Sequence, residues 1–94
     1  MSEIIVKIFK SLSDPTRYGI IKFLLAKKEY SCRELSKKFS LSQPALSHHF
    51  NKLIDAKIIG VRKNGTENYY SINKDYLKNI GIDINKIVQK GENL

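Results

Sequence analysis

Cysteine is almost absent from this chain: Cys32 is the only one, so no intrachain disulfide can form and an all-cysteine metal site within one chain is excluded. Long apolar runs are missing as well, and none approaches the ~20 residues that span a bilayer. The opening MSEIIVKIFK carries Glu3 early and lacks the basic start, continuous apolar stretch and small-residue cleavage site of a secretory signal. A cytoplasmic location is therefore expected. No internal repeat, low-complexity tract or Pro/Gly-rich linker divides the chain, and residues 1–94 read as one domain. Catalytic constellations are missing too. There is no nucleophile–base–orienter set, no carboxylate pair with a pocket to serve, and no glycine-rich phosphate loop. An enzyme is the poorest reading, and neither a cofactor nor a metal site is expected.

Acidic residues are scarce relative to basic ones. Nine Asp and Glu face seventeen Lys and Arg, for a formal charge of +8. A chain this basic usually meets a polyanion, most commonly nucleic acid. Most of the cations are lysines spread along the chain, so charge alone does not distinguish a nucleic-acid binder from a well-solvated surface. The apolar fraction of 41% supports a globular fold. A chain of this length buries only a modest core, which makes a second subunit a natural aid.

Hydrophobic spacing and start signals divide the chain into short elements. Ile4, Ile5, Ile8, Phe9 and Leu12 recur at helical spacing and predict a first helix over residues 3–12. Asp14-Pro15 predicts a fresh start, with Asp14 as N-cap and Pro15 in the first helical position. The second helix buries Ile20, Ile21, Leu24 and Leu25 and is expected to end near Lys27-Lys28, cations that suit a helix C-terminus. Ser31-Cys32-Arg33-Glu34 has the form of a capping box and opens a short third helix with Leu35 and Phe39. Ser40-Leu41-Ser42 leaves room only for a tight turn, after which Ser42 caps a fourth helix to about Lys57. Two helices joined this way, over 31–57, form a helix-turn-helix. Residues 58–63 and 67–72 are β-prone, and Asn64-Gly65 between them predicts a hairpin, the wing, over 58–72. Residues 74–90 predict a last helix, interrupted near Gly81 and restarted by Asp83, with a frayed tail from Gly91. The expected fold is α+β and mostly helical, a winged helix-turn-helix in the order α-α-α-α-β-β-α.

The fourth helix carries the functional signal. Leu46, Phe50, Leu53 and Ile54 fall on one face, and Gln43, Ser47, His48 and Asn51 on another. No acidic residue occurs between Glu34 and Asp55. A face of short polar side chains without carboxylates can approach phosphates and base edges closely. Lys37 and Lys38 lie within the same helix-turn-helix, where phosphate contact is credible.

The segments LSDPTRYGIIKFLL, SCREL and LSQPALSHHFNKLIDAKIIGVRKNGTENYYSI resemble the ArsR/SmtB-type winged-helix repressors, collinearly from about Leu12 to Ile72. The most specific pieces are Asp14-Pro15-Thr16-Arg17, Ser42-Gln43-Pro44 with Ser47-His48-His49, and Gly65 with Tyr69-Tyr70. The resemblance implies that the helix beginning at Ser42 enters the major groove of duplex DNA, with Gln43, Ser47 and His48 contacting bases or phosphates. It also implies backbone contact by Arg62 and Lys63 in the wing, and a homodimer joined by the first and last helices.

The departures from that family narrow the function. Metal-sensing members carry a cysteine pair at the start of the third helix, in an E-L-C-V-C-D-L pattern. Here Ser31 and Arg33 hold those positions and Cys32 falls between them. A soft thiolate site cannot form there. Other members bind metal through Asp and His of the last helix, but residues 74–94 contain no His, and Asp83, Asn85 and Glu92 offer oxygen donors only. Sensing through an intrachain cysteine link needs a second cysteine. Thr66 stands where many members have Arg. Cys32 reads as a small packing residue, although the adjacent helix N-terminus would lower its thiol pKa. His49 reads as a packing or capping residue, and one of Tyr69 and Tyr70 should face the core.

Ile4, Ile5 and Ile8 at one end and Ile84, Ile87 and Val88 at the other exceed what one small core needs. Either they pair across a two-fold axis or they pack on their own domain. The resulting expectation is a sequence-specific repressor of double-stranded DNA with a palindromic operator and no metal sensing. The alternative is a winged-helix protein–protein interaction module or a non-specific architectural DNA binder.

Overall fold

In the structure, a computed structural model describing residues 2–94, nearly every helix starts on a side-chain oxygen. Ser2 Oγ accepts the Ile5 N–H at 3.4 Å to open α1 (Glu3–Leu12), and Asp14 Oδ2 accepts the Arg17 N–H at 2.9 Å to open α2 (Pro15–Leu24). The capping box at the start of α3 (Cys32–Phe39) is complete: Ser31 Oγ accepts the Glu34 N–H at 3.1 Å, and Glu34 Oε1 accepts the Ser31 N–H at 3.0 Å. Ser42 caps α4 (Gln43–Asp55), and Asp83 caps α6 (Ile84–Glu92). The exception is the short α5 (Lys74–Asn79), which has no side-chain cap. Each cap supplies an acceptor to a backbone N–H that the helix itself leaves orphaned.

The helix ends are equally specific. Ser40 takes a left-handed conformation (φ 52°), closing α3 and setting up the three-residue turn into α4. Lys57, also left-handed (φ 59°), ends α4 in a Schellman arrangement, with Ile58 N–H donating to Leu53 O and Lys57 N–H to Ile54 O. That turn delivers the chain into β2 (Ile59–Asn64) and buries Ile58 beside Leu53. Gly81 (φ 90°) repeats the device between α5 and α6. The interruption of the last helix expected at Gly81, and the restart at Asp83, are both present.

Other expectations are corrected. α2 stops at Leu24 instead of running to Lys27-Lys28, and Lys22 is the cation of its last turn. Lys27 turns away to Glu34, with Nζ 3.0 Å from Oε2, and lies over the Tyr30 ring. The freed segment makes β1 (Tyr30–Ser31), a strand too short to show alternation in the sequence. β1 pairs antiparallel with β3 (Glu67–Ile72), which pairs on its other edge with β2, giving the order β1-β3-β2. The hairpin turn is Gly65-Thr66 and not Asn64-Gly65, since Asn64 pairs with Glu67 in the ladder. Gly65 at the first turn position, with φ 64°, is the pattern of a type II′ turn. The tail does not fray at Gly91. α6 continues to Glu92, whose carboxylate accepts from Tyr18 Oη at 2.8 Å and from Lys22 Nζ.

One core joins these elements. Ile20, Ile21, Leu24, Leu35, Leu46, Phe50, Leu53, Ile58, Ile59 and Leu77 are almost wholly buried. Three of the terminal apolar residues belong to this core as well: Ile8, Ile84 and Val88 are at most 6% exposed. They pack on their own domain because α1 and α6 lie against it. Ile4 and Ile5 are partly buried, whereas Ile87 is 50% and Phe9 63% exposed.

Loss of the α2 cap should be measurable. Asp14→Ala is expected to destabilise the fold by about 1 kcal/mol, read as a lower urea midpoint. The Arg17 N–H holds the Asp14 carboxyl below the usual carboxylate range. A carboxylate with a depressed pKa contributes stability above its unfolded-state pKa and loses it as pH falls through the folded-state value. The gap between wild type and variant should therefore persist at neutral pH and close in strong acid.

Candidate nucleic-acid interface

The helix-turn-helix is held by the inward faces of its two helices. Leu35 of α3 and Leu46, Phe50 and Leu53 of α4 are buried, so α4 has only one face left for solvent. Ser42, Gln43, Pro44, Ser47, His48 and Asn51 are all exposed. Residues 43, 47 and 51 follow one another at helical i,i+4 spacing, as do 44 and 48, so the polar set forms one continuous surface. Ser42 Oγ is engaged as the cap, accepting the Ala45 N–H at 3.3 Å. Gln43 is steadied from α3, where Cys32 Sγ donates to its Oε1 at 3.5 Å, which leaves the amide NH2 to bond elsewhere.

The two histidines have different environments. His48 is exposed on the polar surface, and His49 is partly buried. Arg17 Nη1 lies 3.4 Å from His49 Nδ1. A guanidinium can only donate, so Nδ1 is the acceptor and the contact ties α2 to α4. His49 is thus a packing residue, as its position in the sequence suggested.

Lys37 and Lys38 are exposed in the last turn of α3, and Lys38 Nζ sits 5.4 Å from the centroid of Phe23. In the wing, Arg62 is already engaged within the chain. Its guanidinium forks onto Glu29, with Nη2 2.7 Å from Oε1 and Nε 3.3 Å from Oε2, and stacks over Tyr69. This pair holds the Glu29 carboxyl below its usual range and raises the already high pKa of Arg62. Lys63, beside it, is exposed and has no ion pair among the described residues. Sequence reasoning missed Glu29 because 33 residues separate the partners. They meet only because β1 and β2 flank the same strand.

Cys32, Arg33, Lys37 and Gln43 line one side of a cleft of about 350 Å3, and Thr66 and Glu67 of the hairpin line the other. Burial pushes the Cys32 thiol up, the Glu67 charge adds to the effect, and the Gln43 contact opposes it. The thiol is thus raised, where the adjacent helix N-terminus had suggested a lowering. Among the described residues no cluster of three or more His, Cys, Asp or Glu side chains is disposed to hold a metal ion, and no helix is long and apolar enough to cross a membrane.

Known proteins share this architecture. Residues 14–60 match the family described as bacterial regulatory protein, arsR family. The chain is 38% identical to the arsenical resistance operon repressor of Staphylococcus xylosus over 80 residues, covering 85% of this chain and 76% of that protein. It is 34% identical to the transcriptional repressor SdpR of Bacillus subtilis, covering 92% of this chain and 94% of that one. Among solved structures, HlyU from Vibrio cholerae superposes with a TM-score of 0.72 at 29% identity, over 85% of this chain and 89% of that chain.

The cleft makes a prediction about thiol chemistry. Cys32 should react with a thiol-labelling reagent more slowly at neutral pH than an unperturbed thiol, its rate rising at higher pH than an ordinary cysteine's. Glu67→Gln removes a charge that disfavours the thiolate and should accelerate labelling at pH 8. An unchanged rate would mean that Glu67 does not act on the thiol.

Proposed function

The chain belongs to the arsR family of bacterial regulatory proteins, and from that premise we propose that it is a cytoplasmic, homodimeric repressor that reads a palindromic operator with α4 and takes no metal as its signal. The observation that carries this reading is the exposed face formed by Gln43, Ser47, His48 and Asn51, free of carboxylates and backed by a buried Leu46-Phe50-Leu53 face. Gln43 and His48 serve as donors and acceptors to base edges, with Ser42, Pro44, Ser47 and Asn51 completing the contact surface. Two copies of α4 would lie in successive major grooves, with half-sites spaced by roughly 10 bp. Repression follows from occupancy of the promoter.

Affinity comes from the cations. Lys37, Lys38 and Lys63 contact phosphates and release counterions, so binding weakens steeply with salt. Arg62 contributes less than its place in the wing suggests, because Glu29 already neutralises it. The family's thiolate metal site has no counterpart here: Ser31 is spent on the capping box, and Arg33 brings a cation to the place of a metal.

The dimer is supported by apolar surface left uncovered in one protomer. Phe9 on α1, Ile87 on α6, Ile80 between α5 and α6, and the terminal Leu94 are exposed large apolar residues near the chain ends, and Ile4 and Ile5 are partly buried. Ile8, Ile84 and Val88 support the seam from beneath. A second copy would cover this surface by an isologous contact. Phe9→Asp combined with Ile87→Asp should give a folded monomer in sedimentation, with normal circular dichroism and no operator binding. A dimer that survived both changes would place the seam elsewhere.

DNA capture with the purified protein at two salt concentrations tests the central reading. A recurrent palindrome should survive the higher salt. Gln43→Ala or His48→Ala should cost ~1–3 kcal/mol on that site and relax its base preference. Lys63→Ala should weaken all sequences alike and reduce the salt slope by about 0.9. Uniform loss with Gln43→Ala and His48→Ala would demote both to phosphate contacts, and the absence of any recurrent site would overturn sequence-specific repression.

A further inference from the structure

A second basic site lies beyond the C-terminal end of the Gln43–Asn51 face. It is a cleft of about 260 Å3 between α1, α2 and the C-terminal half of α4, lined by Lys7, Lys10, Ser11, Arg17, Lys52 and Asp55. None of these residues is assigned above to DNA recognition. Their convergence follows from helical spacing. Lys7, Lys10 and Ser11 stand at i, i+3 and i+4 on α1, and Lys52 and Asp55 three apart on α4. α2 brings Arg17 between them.

The cleft gathers several cations without carboxylate partners into one concavity. Lys22, Lys27 and Arg62 each have a carboxylate partner within 4 Å. Here four cations share a lining with one carboxylate, and among the described residues none of the five is in an ion pair. Arg17 cannot swing away to solvent at no cost. Its Nη1 lies 3.4 Å from His49 Nδ1, and its Nε is buried without an acceptor. An anchored guanidinium with an unsatisfied buried donor is an unfavourable arrangement on its own. Like charges gathered in one concavity focus a positive potential that a polyvalent anion relieves.

We propose that this cleft binds a multiply charged oxyanion of the phosphate class, held by Lys7 and Lys10 from α1, Arg17 from α2 and Lys52 from α4. Planar guanidinium and flexible ammonium groups together match a phosphate's several oxygens. Two sources present this chemistry: a free phosphorylated small molecule, or a backbone phosphate of the bound DNA. In either case the anion clips α1 to α4. If α1 carries the dimer seam and α4 reads DNA, as proposed above, occupancy of the cleft would couple assembly to recognition. That consequence rests on the repressor reading, whereas the binding site itself does not.

The test uses pyrophosphate as the probe, titrated into the full chain without DNA at constant ionic strength and followed by amide NMR shifts. Saturable shifts are expected at residues 7–11, 17 and 52–55. Lys7→Ala combined with Lys52→Ala should weaken this binding by about ten-fold or more. Lys74→Ala combined with Lys78→Ala, which removes the same charge from α5, should not. A second arm measures the salt dependence of DNA binding for both double variants. If pyrophosphate does not bind but the Lys7/Lys52 variant alone lowers the slope by about 0.9 per lost phosphate contact, the oxyanion is a DNA phosphate. Either result supports the site. Absence of saturable pyrophosphate binding, together with a slope no different from that of the control variant, overturns it. Loss of base preference by Gln43→Ala bears only on the recognition reading.

Discussion

The contact between Phe50 and Tyr70 is the joint on which this molecule depends. The rings lie 4.1 Å apart between centroids, tilted by 30°, and both side chains are buried. Phe50 sits at the middle of the inward face of α4. Tyr70 sits in the central strand, paired with Tyr30 on one side and Val61 on the other. One aromatic contact therefore sets α4 against the hairpin. Aromatic pairs of this kind add to simple area burial through their ring geometry. Burial also pushes the Tyr70 phenol up, so the ring stays neutral where it packs. A second pair, Phe23 with Tyr30 at 4.4 Å, ties α2 to the outer strand of the same sheet.

Around that joint, the chain uses punctuation more than length. None of the helices exceeds 13 residues, and isolated helices this short are marginal in water. Side-chain caps at their starts and left-handed residues at Ser40, Lys57 and Gly81 make each boundary definite. Lys57 matters most for the placing of α4, because its Schellman turn links the end of that helix directly to β2. The polar surface of α4 and the hairpin are thus positioned by the same few bonds.

The electrostatic design divides the cations into two groups. Lys22, Lys27 and Arg62 position segments, tying α2 to the end of α6, the α2–β1 segment to α3, and the hairpin to Glu29. These pairs are solvent-exposed, so each contributes little stability, but each fixes where a segment lies. The cations outside these pairs include those at the α3 end, Lys63, and those lining the cleft between α1, α2 and α4. A basic composition by itself does not distinguish a cation that anchors structure from one that waits for a ligand.

The sequence by itself determined most element types and the exposed polar surface of α4, since both rest on local rules. Asp14, Ser31, Ser42 and Asp83 cap the helices they were expected to cap, and the 43/47/48/51 set emerges exposed because helical spacing alone separates it from Leu46, Phe50 and Leu53. Only the tertiary structure decided what depends on neighbours distant in the chain. β1 exists because β3 offers it a free edge, and Arg62 is quenched because that same sheet brings Glu29 to it. Ile8, Ile84 and Val88 became core because α1 and α6 fold back on their own domain, while Phe9 and Ile87 did not. The Cys32 thiol is raised because packing buries it and brings Glu67 near it. Spacing along the chain determines which residues share a face; the fold determines what that face meets.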